Sequence, residues 1–187
     1  MEHKNLERYL NSLGTQVVNR AKAGLGKEKG GGTALAGSIR YELTKEFTVK
    51  FFMDSYGKFL DKGVSGTKVK RSFTNQDNQD EKSPFSYTTK GPPIDILSKW
   101  IKTKGIKPKG FKRGRSKTYT RKDGTEVKGT GRYLAGFAYL ISRKIKRDGI
   151  KALSFFQKPY GLAMKNHDFL FGQALRLDIE EALKIKK

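Results

Sequence analysis

The sequence contains no cysteine, only two histidines and a single tryptophan, and it has no long hydrophobic run. The absence of cysteine excludes disulfides, thiol nucleophiles and cysteine-ligated zinc. No apolar run approaches the roughly 18 residues that a membrane-spanning helix needs. The charged residues near the start, among them Lys4 and Arg8, are not typical of a secretory signal. We therefore expect a protein that assembles in a cytoplasm and has no membrane partner.

Acidic residues are also scarce, because 18 Asp and Glu stand against 40 Lys and Arg, for a formal net charge of +22 at pH 7. So basic a surface attracts polyanions, whether nucleic acid, anionic membrane or acidic protein, and the charge alone does not choose among them. The length of 187 residues and the hydrophobic fraction of 35% suit one domain with long exposed loops. The 12 Phe and 8 Tyr residues must then supply much of the core.

Few residues are available for catalysis. His3 and His167 are far apart in the sequence, and no Ser/His/Asp set or metal triad can be assembled around them. Asp123, Glu126 and Lys128 superficially resemble the acidic–acidic–lysine signature of metal-dependent nucleases, which gathers a metal ion and a water on a core sheet. Here they fall in a short basic stretch, where Asp123 precedes a glycine as in a hairpin turn. We predict no enzyme activity, catalytic residue, metal site or cofactor, and nuclease activity stays a minor alternative.

The glycine-rich stretch from Gly24 to Gly32 invites comparison with a phosphate-binding loop. That motif follows a strand and ends in Gly-Lys-Ser/Thr, and neither feature is present here. We therefore interpret the stretch as a flexible linker that ends the first helix.

Apolar periodicity predicts an α+β fold. A small antiparallel β-sheet, based on a hairpin, is expected to pack against several helices, and the chain is expected to have two long loops. Residues 1–187 are expected to form a single domain. Its predicted segments are an N-terminal helix (1–23), a Gly-rich linker (24–33), a hairpin with a short helix (34–63), a long loop (64–91), a helix (92–105), a basic loop (106–130) and C-terminal helices (131–187).

Helix and strand signals refine these segments. Alternation over 39–43 and 47–51, with a short connection at 44–46, predicts an antiparallel hairpin. Pro92 and Pro93 open a helix that Gly105 closes, and a further helix over about 132–148 ends at Gly149.

Apolar spacing also assigns core positions. Trp100, Ile101 and Phe137 are expected in the core rather than in a ligand pocket, because aromatics at helical spacing are usually buried. The last helix, from about residue 166, is expected to turn one face inward, made of Phe171, Leu175, Ile179 and Ala182.

The segment 106–128 is the most basic part of the chain and carries the candidate contact residues. Arg and Lys can release counterions from DNA, and an aromatic residue can stack on a base. No groove-reading motif is present, so such binding would be independent of sequence. A solvated flexible loop, or an arm that docks on an acidic neighbouring subunit, is the alternative. The candidate residues for contact with a partner or DNA are Lys109, Lys112, Arg113, Arg115, Lys117, Tyr119, Arg121 and Lys122.

Three phrases occur in fixed order along the chain. They are Tyr-Gly-Lys-Phe-Leu-Asp-Lys-Gly (56–63), Pro-Pro-Ile-Asp-Ile-Leu-Ser-Lys-Trp-Ile-Lys-Thr-Lys-Gly-Ile (92–106), and Leu-Ala (134–135) leading to Ile-Ser-Arg-Lys-Ile (141–145) and Gly-Ile-Lys-Ala (149–152). In this order and spacing they resemble the tail-completion and neck (head–tail connector) proteins of tailed bacteriophages, over roughly residues 50–160.

This resemblance implies a virion structural protein of the neck or tail, assembled in the cytoplasm of a bacterial host. Such proteins form homo-oligomeric rings, commonly of six or twelve subunits, that join the portal or connector to the tail. The family has no catalytic residues to carry over. Non-specific contact with DNA is compatible with this role, and a sequence-independent nucleic-acid-binding protein is the alternative function.

Overall fold

The computed structural model describes residues 3–27, 33–106, 118–120, 126–128 and 131–184, with the backbone alone at 27, 33, 118–120, 126–128 and 131–133. Within these residues the chain forms seven helices and three two-stranded antiparallel sheets, which confirms the α+β class. The elements are α1 (Lys4–Lys27), α2 (Thr33–Ser38), β1 (Arg40–Leu43), β2 (Val49–Phe52), α3 (Gly57–Lys62), β3 (Ser72–Thr74), β4 (Asp80–Lys82), α4 (Ile94–Thr103), β5 (Thr118–Thr120), β6 (Glu126–Lys128), α5 (Gly131–Asp148), α6 (Gln157–Met164) and α7 (His167–Lys184).

The chain divides into two compact units whose segments alternate along the sequence. The first unit comprises Met1–Val64, Arg71–Phe85 and Lys151–Lys187, and the second comprises Ser65–Lys70 and Ser86–Ile150. Neither unit is therefore a continuous stretch of chain. The single domain expected from the length stays a prediction.

Helix α1 is longer than predicted and organises the first unit. The prediction that Gly24 and Gly26 stop it is wrong, because the helix continues through both glycines to Lys27. Val18 and Leu25 on this helix are buried in the main core cluster, and that burial outweighs the helix-breaking tendency of two glycines. Of the predicted linker, residues 28–32 lie outside the described residues and Thr33–Ser38 is helical.

The predicted hairpin is confirmed, with Arg40 opposite Phe52 and Leu43 opposite Val49. Its turn is longer than the expected connection at 44–46. Phe47 was expected in the second strand, but it has a positive φ of 55° within the turn. Its ring packs against the cluster formed by Leu6, Leu10 and Ala174, so this turn residue belongs to the core.

The segment 64–91 is not a loop throughout, because β3 and β4 pair within it. Asn75 holds the turn between them, since its side-chain oxygen accepts hydrogen bonds from the backbone N–H groups of Asp77 (2.9 Å) and Gln79 (2.8 Å). Three-residue strands of mostly polar composition carry almost no periodic signal, which explains why the sequence did not predict this hairpin.

In the second unit, α4 packs against α5, and both helices end as predicted. Pro93 precedes α4, and the glycines after α4 and α5 have φ values of 61° (Gly105) and 74° (Gly149). Ile101 is buried as expected, but the prediction of a core position for Trp100 is wrong, because its side chain is 45% exposed. The backbone of β5 pairs antiparallel with that of β6, so the predicted basic loop (106–130) is not a loop throughout.

The C-terminal region contains α6, which was not predicted, and α7, whose buried face differs from the expected one. The prediction that Ile179 points inward is wrong, since its side chain is 42% exposed. Asp178 takes the buried position instead. No helix in the described ranges has both the length and the apolar character needed to cross a membrane.

Candidate functional site

Most of the predicted contact residues fall outside the described part of the chain: Lys109, Lys112, Arg113, Arg115, Lys117, Arg121 and Lys122. The backbone of Tyr119 lies in β5, opposite Val127. The structure therefore neither brings these residues together nor separates them.

A different cluster of basic side chains is present in the second unit. A groove of about 850 Å³ runs along α5, and half of the ten described residues that line it are Lys or Arg. We call it the α5 groove. It is lined by Thr67, Lys68, Gly91, Tyr139, Leu140, Ser142, Arg143, Lys144, Lys146 and Arg147.

One wall of the α5 groove is the segment 65–70, which packs against the last turn of α5. Thr67 N donates to the carbonyl oxygen of Lys146 (2.9 Å), and Lys68 N donates to that of Arg147 (3.0 Å). These bonds satisfy carbonyls that lack partners within the helix. A side chain at Gly66 would overlap the carbonyl of Arg147, so glycine is required for this approach. The wall thereby positions Lys68 beside the C-terminus of α5.

The opposite wall is the segment before α4. Ser142 Oγ donates a 2.7 Å hydrogen bond to the carbonyl oxygen of Pro92, and Lys146 Nζ donates a 2.6 Å bond to that of Thr89. Both walls are thus held to α5 by hydrogen bonds, so the groove is part of the folded unit.

The cations of the α5 groove are largely uncompensated. Arg147 is paired with Asp148 through Nε (2.7 Å) and Nη2 (3.0 Å), which keeps the pKa of Arg147 above its ordinary value. The guanidinium of Arg143 lies 5.8 Å from the ring centre of Tyr139. In the part of the chain that the structure describes, Arg143, Lys68 and Lys144 have no carboxylate within ion-pair distance. The groove therefore presents net positive charge.

The sequence of the second unit is far more basic than that of the first. It has 20 basic against 4 acidic residues, a formal charge of +16, whereas the first unit has 20 against 14, a charge of +6. Most of the excess charge of the protein thus belongs to the unit that carries the α5 groove.

The first unit exposes an apolar stripe on α7. Phe169, Ile179 and Leu183 lie on one side of the helix, with Gly172 and Arg176 between them. All five are exposed, Phe169 and Leu183 by 66% and 64% of their surfaces. They recur at alternating spacings of three and four residues, which places them in one line along the helix. We call this line the α7 outer stripe.

Two buried aspartates of the first unit resemble catalytic carboxylates, but they stabilise the fold. Asp178 accepts hydrogen bonds from the backbone N–H groups of Asn5 (2.8 Å) and Leu6 (3.0 Å), in the first turn of α1. Asp61 Oδ1 accepts a 2.8 Å bond from Phe156 N at the start of α6. Each carboxylate thus satisfies N–H groups that a helix leaves unpaired at its N-terminus.

The pKa values of the two carboxyl groups are shifted in opposite directions. Burial raises the pKa of Asp178, but the hydrogen bonds from Asn5 and Leu6 and the nearby His3 outweigh burial and bring the pKa below its ordinary value. Burial also raises the pKa of Asp61, and there it outweighs the hydrogen bonds from Phe156 and Gln157.

Residues that would support hydrolytic chemistry are not gathered in the described residues. The ring of His167 is engaged by Tyr9, whose hydroxyl oxygen lies 2.9 Å from Nδ1. Across the described ranges, no three His, Asp or Glu residues are placed to hold a metal ion. Of the nuclease-like trio, Glu126 and Lys128 lie in the same strand, β6, and Asp123 is outside the described residues.

Comparisons with protein-family models, curated protein sequences and solved structures each gave no match. The likeness to phage neck and tail-completion proteins therefore rests on the three phrases of the sequence, and the function must be argued from the surfaces described above.

Proposed function

We propose that the protein is a structural component of a virion neck or tail. It forms a homo-oligomeric ring, of six or twelve subunits, that joins the portal or connector of the head to the tail. The observation that carries this proposal is the α7 outer stripe, because it offers a second apolar face on a helix that is already packed on its other side.

The spacing within the stripe suits contact with another helix. Positions that alternate at three and four residues form the seam along which helices pack side by side. Three of the five positions in the stripe are apolar, and the other two are Gly172 and Arg176. A helix that is apolar on two sides is normally covered on both. Since Phe169 and Leu183 are about two-thirds exposed in the single chain, a neighbouring subunit is the partner that we propose for this face.

The local structure of the three phrases also supports the proposal. Each phrase contains a glycine that follows a helix and has a positive φ: 69° at Gly63, 61° at Gly105 and 74° at Gly149. Only glycine adopts this conformation routinely. The phrases therefore specify helix ends, as fold markers of a structural family do, rather than a catalytic site.

Quantitative peptide mass spectrometry of gradient-purified particles tests the proposal. We expect the protein to be present in particles from the source lysate, at six or twelve copies per particle. Abundant protein in the lysate that is absent from particles would defeat the proposal and favour the alternative, a sequence-independent nucleic-acid-binding protein.

A further inference from the structure

We infer that the α5 groove is a binding site for the phosphodiester backbone of nucleic acid, and that it binds without reading sequence. This inference does not depend on the ring proposal. It follows from the shape, the charge and the hydrogen bonding of the groove.

The spacing of the cations matches that of phosphates. Arg143 and Arg147 are four residues apart, so they lie on one face of α5 about 6 Å apart along its axis. One strand of a duplex carries a phosphate about every 3.4 Å of its axis. The two arginines therefore lie about two phosphate steps apart along one strand. Arg147 can meet a phosphate through the N–H groups that Asp148 does not engage, and Lys68 adds a cation from the 65–70 wall.

The groove favours nucleic acid over a membrane or an acidic protein. Among the described residues of its lining, Tyr139 and Leu140 are the only large apolar ones, which gives little to insert into a bilayer. Acidic protein surfaces carry scattered charges, whereas a duplex has one negative charge per 1.7 Å of axis. The exposed Tyr139 beside Arg143 also offers an aromatic face to a sugar or an unpaired base.

The groove is poor in groups that read bases. Discrimination between base pairs needs side chains such as Asn and Gln, or an Arg directed at guanine, placed against base edges in a DNA groove. Of the two arginines in the lining, Arg147 is held by Asp148 and Arg143 lies near the Tyr139 ring. The described residues of the lining include no amide side chain, and the hydroxyl of Ser142 already donates to Pro92. The remaining donors are cations suited to phosphate, so the affinity should be insensitive to sequence.

The decisive measurement is the salt dependence of DNA binding by the full chain. We would compare wild type with Arg143→Gln/Lys144→Gln, which removes two cations that do not hold the groove walls. A 20-base-pair duplex is titrated by fluorescence anisotropy between 50 and 200 mM salt. Loss of two phosphate contacts should reduce the slope of log K against log salt by about 1.8 and weaken binding about 10- to 100-fold near 100 mM salt.

The matched control is Lys99→Gln/Lys102→Gln. It removes the same charge from exposed positions of α4, in the same unit but outside the groove lining. In this control the slope of log K against log salt should fall much less than in the groove variant. Lys68→Gln, which changes the 65–70 wall, should lower the slope by about 0.9 and serves if the double variant does not fold.

Two results would overturn the inference. One is an equal loss of slope in the groove variant and in the α4 control, which would mean that only total charge matters. The other is displacement of the duplex by polyglutamate as effectively as by unlabelled DNA at equal charge, which would identify the groove as a site for acidic protein.

Discussion

At the scale of single residues, the most informative positions are the two buried aspartates. Asp178 is 1% exposed and Asp61 is 3% exposed, yet neither has a basic side chain as its main partner. Each accepts hydrogen bonds from the first amides of a helix that is distant in sequence. The N-terminal end of a helix carries partial positive charge, so an acceptor there is favourable. These residues join α7 to α1 and α3 to α6.

Asp178→Asn should destabilise the protein by about 1–3 kcal/mol at pH 7, because the amide nitrogen of Asn would face a buried N–H donor. The lowered pKa of Asp178 means that its contribution is complete above the unfolded-state value of about 3.8. That contribution is lost as the pH falls through the lower folded-state value. Urea unfolding monitored by circular dichroism should thus show a difference in the free energy of unfolding between wild type and Asp178→Asn at pH 7. This difference should narrow below pH 3.8.

Asp61→Asn is the control, and it should behave differently. Because burial raises the pKa of Asp61, its ionisation costs stability above that pKa. Asn removes this cost and keeps an oxygen for Phe156 N. The change should therefore be neutral or slightly stabilising at pH 7, and equal destabilisation by both substitutions would contradict the assigned roles.

The sequence could not show that Asp178 is a core residue, although helical periodicity allows that position to be buried. Phe171, Leu175, Ile179 and Ala182 formed the expected stripe, whereas the buried line passes through Asp178 instead of Ile179. Both lines fit the helical period. The choice between them depends on the unpaired N–H groups of α1, which only the tertiary structure brings to this position.

At the scale of secondary-structure elements, local signals succeeded where backbone chemistry is decisive. Proline before α4 and glycines after α4 and α5 predicted helix ends that the structure confirms, and both glycines have positive φ. They failed where packing overrides propensity. Helix α1 continues through Gly24 and Gly26, since Leu25 is fully buried and Gly24 lies against Phe155.

The α7 outer stripe gives a prediction about assembly. Ile179→Ser/Leu183→Ser should leave the fold intact, since both side chains are exposed, but should weaken self-association because it removes apolar surface from the proposed seam. Analytical ultracentrifugation over a range of protein concentrations measures the effect. We expect a shift from ring-sized species toward monomer, by tenfold or more in the concentration at half-assembly, as a loss of about 1.4 kcal/mol would give.

The matched control for this change is Ile96→Ser/Trp100→Ser on α4. That pair is also exposed and also four residues apart, but it lies in the second unit. It should leave the sedimentation profile unchanged. If the α4 pair disrupts assembly while the α7 pair does not, the subunit contact has been assigned to the wrong helix.

At the scale of the whole molecule, basic residues are concentrated in two places, the α5 groove and residues 106–128, for which we propose different roles. Composition predicted attraction to polyanions, but it could not show that Lys68 and Arg143 line one groove. These residues are 75 positions apart in the sequence, and they meet because segment 65–70 caps α5. The sequence pointed instead to the densest basic stretch, residues 106–128. That stretch carries the candidate residues for contact with a partner or DNA, and we propose that it contacts neighbouring proteins in the assembled particle. This role can be tested independently of the α5 groove.

Deletion of residues 110–126 should leave the protein soluble and cooperatively folded but abolish its incorporation into particles, because this segment is proposed to contact neighbouring proteins. The deletion lowers the formal charge only from +22 to +18, since it removes six basic and two acidic residues. The α5 groove residues remain, so binding to duplex DNA at low salt should persist. A Gly/Ser segment of equal length controls for connectivity and should be equally excluded from particles. Loss of cooperative unfolding would show that the segment is part of the fold, and normal incorporation would show that assembly depends on other surfaces, with α7 the first to examine.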